Sequence, residues 1–254
     1  MDRSHDEELN GYIEEKEVVS GKRVDFEFKP PFTMVVGAPT DSGKSYLLIM
    51  LLRRIFVDMF DTIYILSGSI HLNTDFDEFE NVNNVILISH PTTQDLDNII
   101  DEQELCKQET LLKNKQAGRT KFRCPRILVY LDDILDSGVA RFTGAADTIA
   151  ARGRHMEISM VVSTQRIKGI SVVLRDQSKY IFIFELLQGE IEKFMNEFVP
   201  RSQRKPLVSY MTKVFRKYWQ FLMIDTRRKG NKIFDSNADD IVEGTMNAYS
   251  DDLS

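Results

Sequence analysis

Gly43-Lys44-Ser45 closes a short turn that runs from Gly37 through Ala38, Pro39, Thr40, Asp41 and Ser42, and Tyr46 follows at the head of an apolar run. These residue types, in this order, suit the binding of a triphosphate. Backbone N–H groups of such a turn converge on phosphate oxygens, and the start of the following helix adds partial positive charge. Gly43 permits close backbone approach, Lys44 meets the β- and γ-phosphates, and the Ser45 hydroxyl holds the Mg²⁺ that accompanies ATP. In the GxxxxGK(S/T) register Ala38 stands at the first glycine position, small enough for a tight turn. A chance Gly-Lys-Ser in a surface turn is the alternative. The strand signal before it (Phe32–Val36) and the helix signal after it favour the nucleotide loop.

A second group of chemically capable residues ends the apolar run ILVYLDD, Ile127–Asp133. Two carboxylates at the tip of a buried strand can divide the work of hydrolysis. Asp132 is expected to hold Mg²⁺ through its water shell and Asp133 to polarise the attacking water as general base. Asp133 as a helix cap is the competing reading. A kinase needs a single acid here; two suggest hydrolysis. Gln165, at the end of SMVVSTQ, can hydrogen-bond both a γ-phosphate and the water, or can be an exposed strand end. Arginines flank the later strands: Arg152 and Arg154 in Arg152-Gly153-Arg154-His155, and Arg175 ahead of YIFIF. An arginine near a γ-phosphate stabilises transition-state charge, in cis or from a neighbouring subunit.

The elements that must position these groups are legible as periodicity. Apolar runs at 32–36, 62–66, 85–88, 127–131, 159–163, 180–184 and 218–225 predict strands, and the alternating VDFEF at 24–28 predicts another. Helices are expected over 45–59, 95–115 (Asp95 as N-cap), 140–152, 189–198 and 207–215. This alternation predicts an α/β fold: a mostly parallel P-loop NTPase sheet flanked by helices on both faces, with ligand at the carboxyl ends of the strands. The spacing between Ala38 and Asp132 leaves room for an additional strand between the two motif strands. Residues 1–29 read as an acidic arm with a short strand, 30–234 as the ATPase domain, and 235–254 as a frayed acidic tail.

Composition constrains the partners. The 254 residues are 42% hydrophobic and 28% charged, ordinary values for a globular protein. There is neither an apolar run of membrane-spanning length nor an N-terminal signal-like segment. Cys106 and Cys124 have no metal-binding spacing and read as reduced thiols. The net charge of −6 argues against a nucleic-acid coat over the whole surface. Basic residues cluster nonetheless: 113–126 holds Lys113, Lys115, Arg119, Lys121, Arg123 and Arg126 with no acid, and 201–232 is basic around a lone Asp225. Lys115, Arg119, Lys121 and Arg123 are candidate contacts to DNA phosphates; solvated loops are the alternative.

Together, GAPTDSGKS, ILVYLDD, GRHMEISMVVSTQR and LRDQSKYIFIF resemble the genome-packaging ATPases of large eukaryotic DNA viruses, within the FtsK–HerA superfamily of DNA pumps. FtsK-type translocases carry a similar arginine eleven residues before the glutamine, as Arg154 stands before Gln165. Arg175 and Gln177 match an Arg-x-(Asn/Gln) pair of the viral proteins. The resemblance covers about residues 30–226 and implies an ATPase with Mg²⁺ as cofactor. It further implies a homo-oligomeric ring with an arginine finger in trans, double-stranded DNA and a viral capsid as partners, assembly in the host cytoplasm, and association with the virion. The length leaves no room for a separate nuclease domain. A small-molecule or nucleoside kinase, with 113–126 as its lid, is one competing reading. A nucleotide-dependent scaffold and a non-packaging translocase are the others.

Overall fold

In a computed structural model of the chain, residues 22–249 are described apart from 72–73, 119, 121, 134–142, 166–169, 187, 200, 202–203, 216–218 and 228–231. Strand β2 (Thr33–Gly37) is buried at every position. That is the condition of a strand covered on both faces, and it explains an unbroken apolar run where a half-exposed strand would alternate. β5 (Ile127–Asp132), β6 (Ile158–Thr164) and β7 (Tyr180–Ile183) share this character. With β3 (Thr62–Ser67) and β4 (Val85–Ile88) they form a parallel block in the order β4-β3-β5-β6-β2-β7.

The strand that separates β2 from β5 is β6, which lies beyond both in sequence. The spacing between Ala38 and Asp132 instead holds β3 and β4, which lie on the far side of β5. An intervening strand was expected; its source differs, because the chain crosses over β5 before filling the gap.

Helices cover both faces. α1 (Lys44–Leu51) continues as a π-helical stretch, Leu52–Phe56, and a last turn α2 (Val57–Met59). Leu47, Leu48, Leu51 and Phe56 bury one face, joined by Ala238 and Ile241 of α8 (Ala238–Val242). The opposite face receives α3 (Thr93–Gln116), α4 (Thr143–Met156), α5 (Val172–Gln177), α6 (Gln188–Phe198) and α7 (Arg204–Val214). α3 starts two residues before the expected boundary. Its cap is Thr92, and Asp95 sits at the third helical position, where its carboxylate accepts from the Thr92 N–H at 2.7 Å. α4 runs past the expected end at Arg152 to Met156, so the Arg-Gly-Arg-His segment belongs to its last turn.

The C-terminal portion corrects the sequence reading most. The strand expected at 218–225 is β8 (Phe221–Asp225), antiparallel to β7. The supposed frayed tail continues the sheet as β9 (Lys232–Ser236), α8 and β10 (Thr245–Ala248). β10 pairs with β1 (Lys22–Asp25), which begins and ends earlier than the alternation predicted, so the edge of the 10-stranded sheet joins both ends of the described chain. Residues 1–21 and 250–254 lie outside the described residues.

Candidate nucleotide site

The loop after β2 lies at the carboxyl end of the parallel block. Ala38 is fully buried and its N–H donates to the Thr164 carbonyl at 3.1 Å, tying the start of the loop to β6. Left-handed backbone occurs at Asp41 and Gly43 instead of Ala38, so the position where the loop departs from the usual glycine does not need one. Ser42 Oγ donates to the Pro39 carbonyl at 2.8 Å and tightens the turn. Gly43 caps α1 with φ 93°, a region other residues enter with difficulty.

Lys44 is only 7% exposed, and its Nζ donates to Asp133 Oδ1 at 2.5 Å. The two residues come from elements separated by 89 positions and meet because β2 and β5 both flank β6. Asp133 has left-handed backbone, φ 49°, which Asp and Asn tolerate better than most side chains, and its N–H donates to Ser163 Oγ at 3.1 Å. Gln165 Nε2 lies 3.4 Å from Asp133 Oδ2, so the strand-end amide and the second acid are neighbours.

Asp132 is held differently. Its Oδ1 accepts from Tyr130 Oη at 2.8 Å and Ser163 Oγ at 2.8 Å, and its Oδ2 accepts from Ser67 Oγ at 2.9 Å. Burial, and then the adjacent Asp132 carboxylate, push the Tyr130 hydroxyl well above the usual tyrosine range, so it remains a donor. Three donors fix the carboxylate and leave it lone-pair capacity for one further contact. Ser45, Asp132 and Asp133 line one cleft with Ser69, Asp75 and Phe76. Tyr130, Ser67 and Ser163 were missed in the sequence. Their signal is a hydroxyl at, or one turn of the pleat before, the carboxyl end of a buried apolar strand.

The arginines and the basic segment lie elsewhere. Arg154 lies in the last turn of α4, Arg175 in the last turn of α5, and both precede their strands. They are therefore at the amino end of the parallel block, the length of β6 away from the loop, roughly 20 Å at ~3.3 Å per residue. Gly153 allows this turn: a Cβ there would meet the Ile158 carbonyl oxygen at 2.8 Å. Arg152 pairs with Glu104 on α3 at 2.7 Å. The depressed pKa of Lys179 reports its burial first and then the charges of Arg227 and Arg154, so these cations gather at one end. Segment 113–126 joins α3 to the amino end of β5, at that same end. Arg123 donates twice to Asp61, at 2.7 and 2.8 Å, and Asp61 also accepts the Arg126 N–H. Its guanidinium anchors the loop to the start of β3. Lys115 is exposed, and Arg119 and Lys121 lie outside the described residues. This placement also removes the segment as a kinase lid, because it is at the wrong end of the sheet.

Known proteins agree with this architecture. The crystal structure of B204, the DNA-packaging ATPase from Sulfolobus Turreted Icosahedral Virus, superposes with a TM-score of 0.52 at 18% identity over 81% of this chain and 98% of that one. The genome packaging NTPase B204 of Sulfolobus turreted icosahedral virus 2, in complex with ATP-gammaS, gives 0.50 at 18% identity over 81% and 97%. EssC (ATPases 2 and 3) from Geobacillus thermodenitrificans gives 0.53 at 14% identity, over 85% of this chain and 39% of that one. No curated protein matches the chain. The family model for the poxvirus A32 protein matches residues 23–242, which span β1 to α8 and every motif discussed above. With the phosphate loop, the paired acids and the sheet order that brings them together, this match establishes that the chain belongs to the poxvirus A32 protein family, with the fold of the viral packaging and EssC ATPases.

Proposed function

We propose that this chain is an ATP-hydrolysing motor that drives double-stranded DNA into a viral capsid, acting as a homo-oligomeric ring in the host cytoplasm. The observation that carries the reading is the meeting of Lys44, Asp133 and Gln165 at the mouth of the phosphate loop. Membership of the poxvirus A32 family and the packaging-ATPase fold support it. A triphosphate entering the loop competes with Asp133 for the Lys44 ammonium. Binding thus draws the cation to phosphate and leaves Asp133, with Gln165 beside it, to orient water. Mg²⁺ fits the oxygen donors available: Ser45 and the anchored Asp132 would hold it, with water and phosphate completing its shell. When bound, it neutralises charge on the phosphates. Among the described residues no helix is long and apolar enough to cross a membrane.

Two features support action between subunits. Arg154 cannot serve its own loop from the opposite end of β6, so a finger role for it requires a neighbour. The exposed Leu105, Leu111 and Leu112 of α3, 58–59% accessible, offer apolar surface for such a neighbour. Arg175 and Arg152 stand behind Arg154 as fingers; the Glu104 ion pair of Arg152 counts against it. Lys44→Ala and Arg154→Ala proteins should each be inactive, and mixing them should restore part of the activity, since some interfaces then hold an intact Lys44 opposite an intact Arg154. No recovery in rings shown to exchange subunits would remove the trans assignment.

The DNA part of the reading is tested by ATPase rate with and without duplex DNA, and by the salt dependence of DNA binding. Stimulation is expected of a pump and not of a kinase. Contacts to phosphates, which any sequence offers, are what the task requires. Replacing Lys115, Arg119 and Lys121 with Ala, while keeping Arg123 for the fold, should lower the stimulation. Each lost phosphate contact should flatten the log–log salt slope by ~0.9. Unchanged slope and stimulation would move the DNA contacts to 201–232, or remove DNA as the substrate.

A further inference from the structure

An aromatic pair stands at the lip of the phosphate loop. Trp219 precedes β8, whose amino end lies beside the carboxyl end of β7, the same end of the sheet as the loop. Its indole rests on Gly43: a Cβ built on that glycine would meet Trp219 Cδ1 at 2.8 Å and Cγ at 3.1 Å. The ring of Tyr46, in the first turn of α1, lies with its centroid 5.7 Å from the indole and its plane 33° away. Tyr46 is held from the other side by Asp239 of α8, which accepts from its hydroxyl at 3.3 Å.

Three properties of Trp219 are unexpected for a residue that only fills space. It is 58% exposed, and Tyr46 is 43% exposed, although both belong to residue types that gain much by leaving water. Its backbone has φ 62°, a conformation that is costly for a bulky side chain. Residues held in that region cluster where a ligand is clamped. Gly43, the residue it covers, is also the cap of the helix that follows the phosphate-binding turn.

We propose that Trp219, with Tyr46 beside it, is the platform on which the base of the bound nucleoside triphosphate stacks. The inference rests on the nucleotide-site reading and adds to it the subsite for the base. The phosphates occupy the loop, and the rest of the nucleotide must leave across its lip, where this pair presents free aromatic surface. Every nucleobase has a face that stacks on an aromatic ring, so such a platform supplies affinity with little choice among bases. Trp219 should therefore favour ATP and GTP alike over a bare triphosphate chain. The conformation of Trp219 also explains why position 43 must remain glycine: a side chain there would push the indole off the loop.

Trp219 is the sole tryptophan of the chain, so its fluorescence reports on this place alone. Titration of the full chain with Mg·ATP should quench it, and titration with Mg·tripolyphosphate, which fills the loop without a base, should quench it much less. By calorimetry, Trp219→Ala should bind Mg·ATP and Mg·GTP about tenfold or more weakly, and should bind tripolyphosphate as the natural protein does. Trp219→Phe, which keeps a ring, should recover most of the loss. Unaltered ATP binding by Trp219→Ala overturns the proposal while the nucleotide site stands. Equal weakening for ATP and tripolyphosphate also overturns it, since Trp219 would then shape the loop and not hold the base. If the natural protein binds neither ligand, the nucleotide-site reading and the platform fall together.

Discussion

Lys44→Ala protein is expected to release phosphate from ATP at background rate, a loss of about 10²-fold to 10³-fold or more, as for other single groups that stabilise transition-state charge. The side chain is almost fully buried, begins α1, and reaches the one place where the loop and the paired acids converge. A cation in that position strengthens its hold as charge develops on the transferring phosphoryl group, so its removal affects the chemical step more than the ground state. The candidate arginines of the same chain cannot substitute for it, because Arg154 and Arg175 lie at the other end of the sheet. Removing Lys44 also strands Asp133, but that carboxylate keeps about a third of its surface in water, so the fold should survive. A phosphate-release assay beside a far-UV circular dichroism spectrum separates the two effects. Near-normal turnover in a folded protein would end the nucleotide-loop assignment.

Asp133→Asn should slow hydrolysis by ~10²–10⁴-fold, the usual range for loss of a general base, and should bind Mg·ATP at least as tightly as the natural protein. Tighter binding has a structural cause: with the charge gone from position 133, Lys44 no longer has a competing carboxylate at 2.5 Å. Asn suits the test because it matches Asp in size and accepts the same left-handed backbone, so a defect is chemical and not conformational. Asp132→Asn should behave in the opposite manner. The carboxylate it replaces is fixed by Tyr130, Ser163 and Ser67, an arrangement suited to a metal and its water shell. Its defect should appear as weakened Mg²⁺-dependent binding. Single-turnover kinetics combined with nucleotide titration at varied Mg²⁺ distinguish the two. Equal binding defects in both variants would show that the roles are wrongly divided, and hydrolysis by Asp133→Asn within tenfold of normal would exclude it as the base.

By itself, the sequence determined what is local. A strand, a turn and a helix that hold a triphosphate are contiguous over Thr33–Leu51, so their residue types and spacing are visible in one window. The same holds for the buried strand that ends in Asp132 and Asp133, and for the helix–strand order that implies a parallel sheet. Helix starts were less legible: Thr92 and Asp95 share the cap of α3, and composition alone does not say which of two capping residues starts the helix. The polar, acidic stretch after Ser236 carries little periodicity, and β10 becomes a strand by pairing with β9 on one side and, across more than two hundred residues, with β1 on the other. Tertiary structure alone decided the rest, because it depends on which elements become neighbours. The insertion of β6 between β2 and β5 brings both Lys44 and Gln165 to Asp133. The sheet's polarity sends Arg154 and the connection between α3 and β5 to the end away from the loop after β2. The antiparallel return of β8 lays Trp219 on Gly43 from 176 positions away in the chain. Side-chain chemistry is written in the order of residues, but the distances at which it acts are set by strand order and direction, which arise from burying two sheet faces at once.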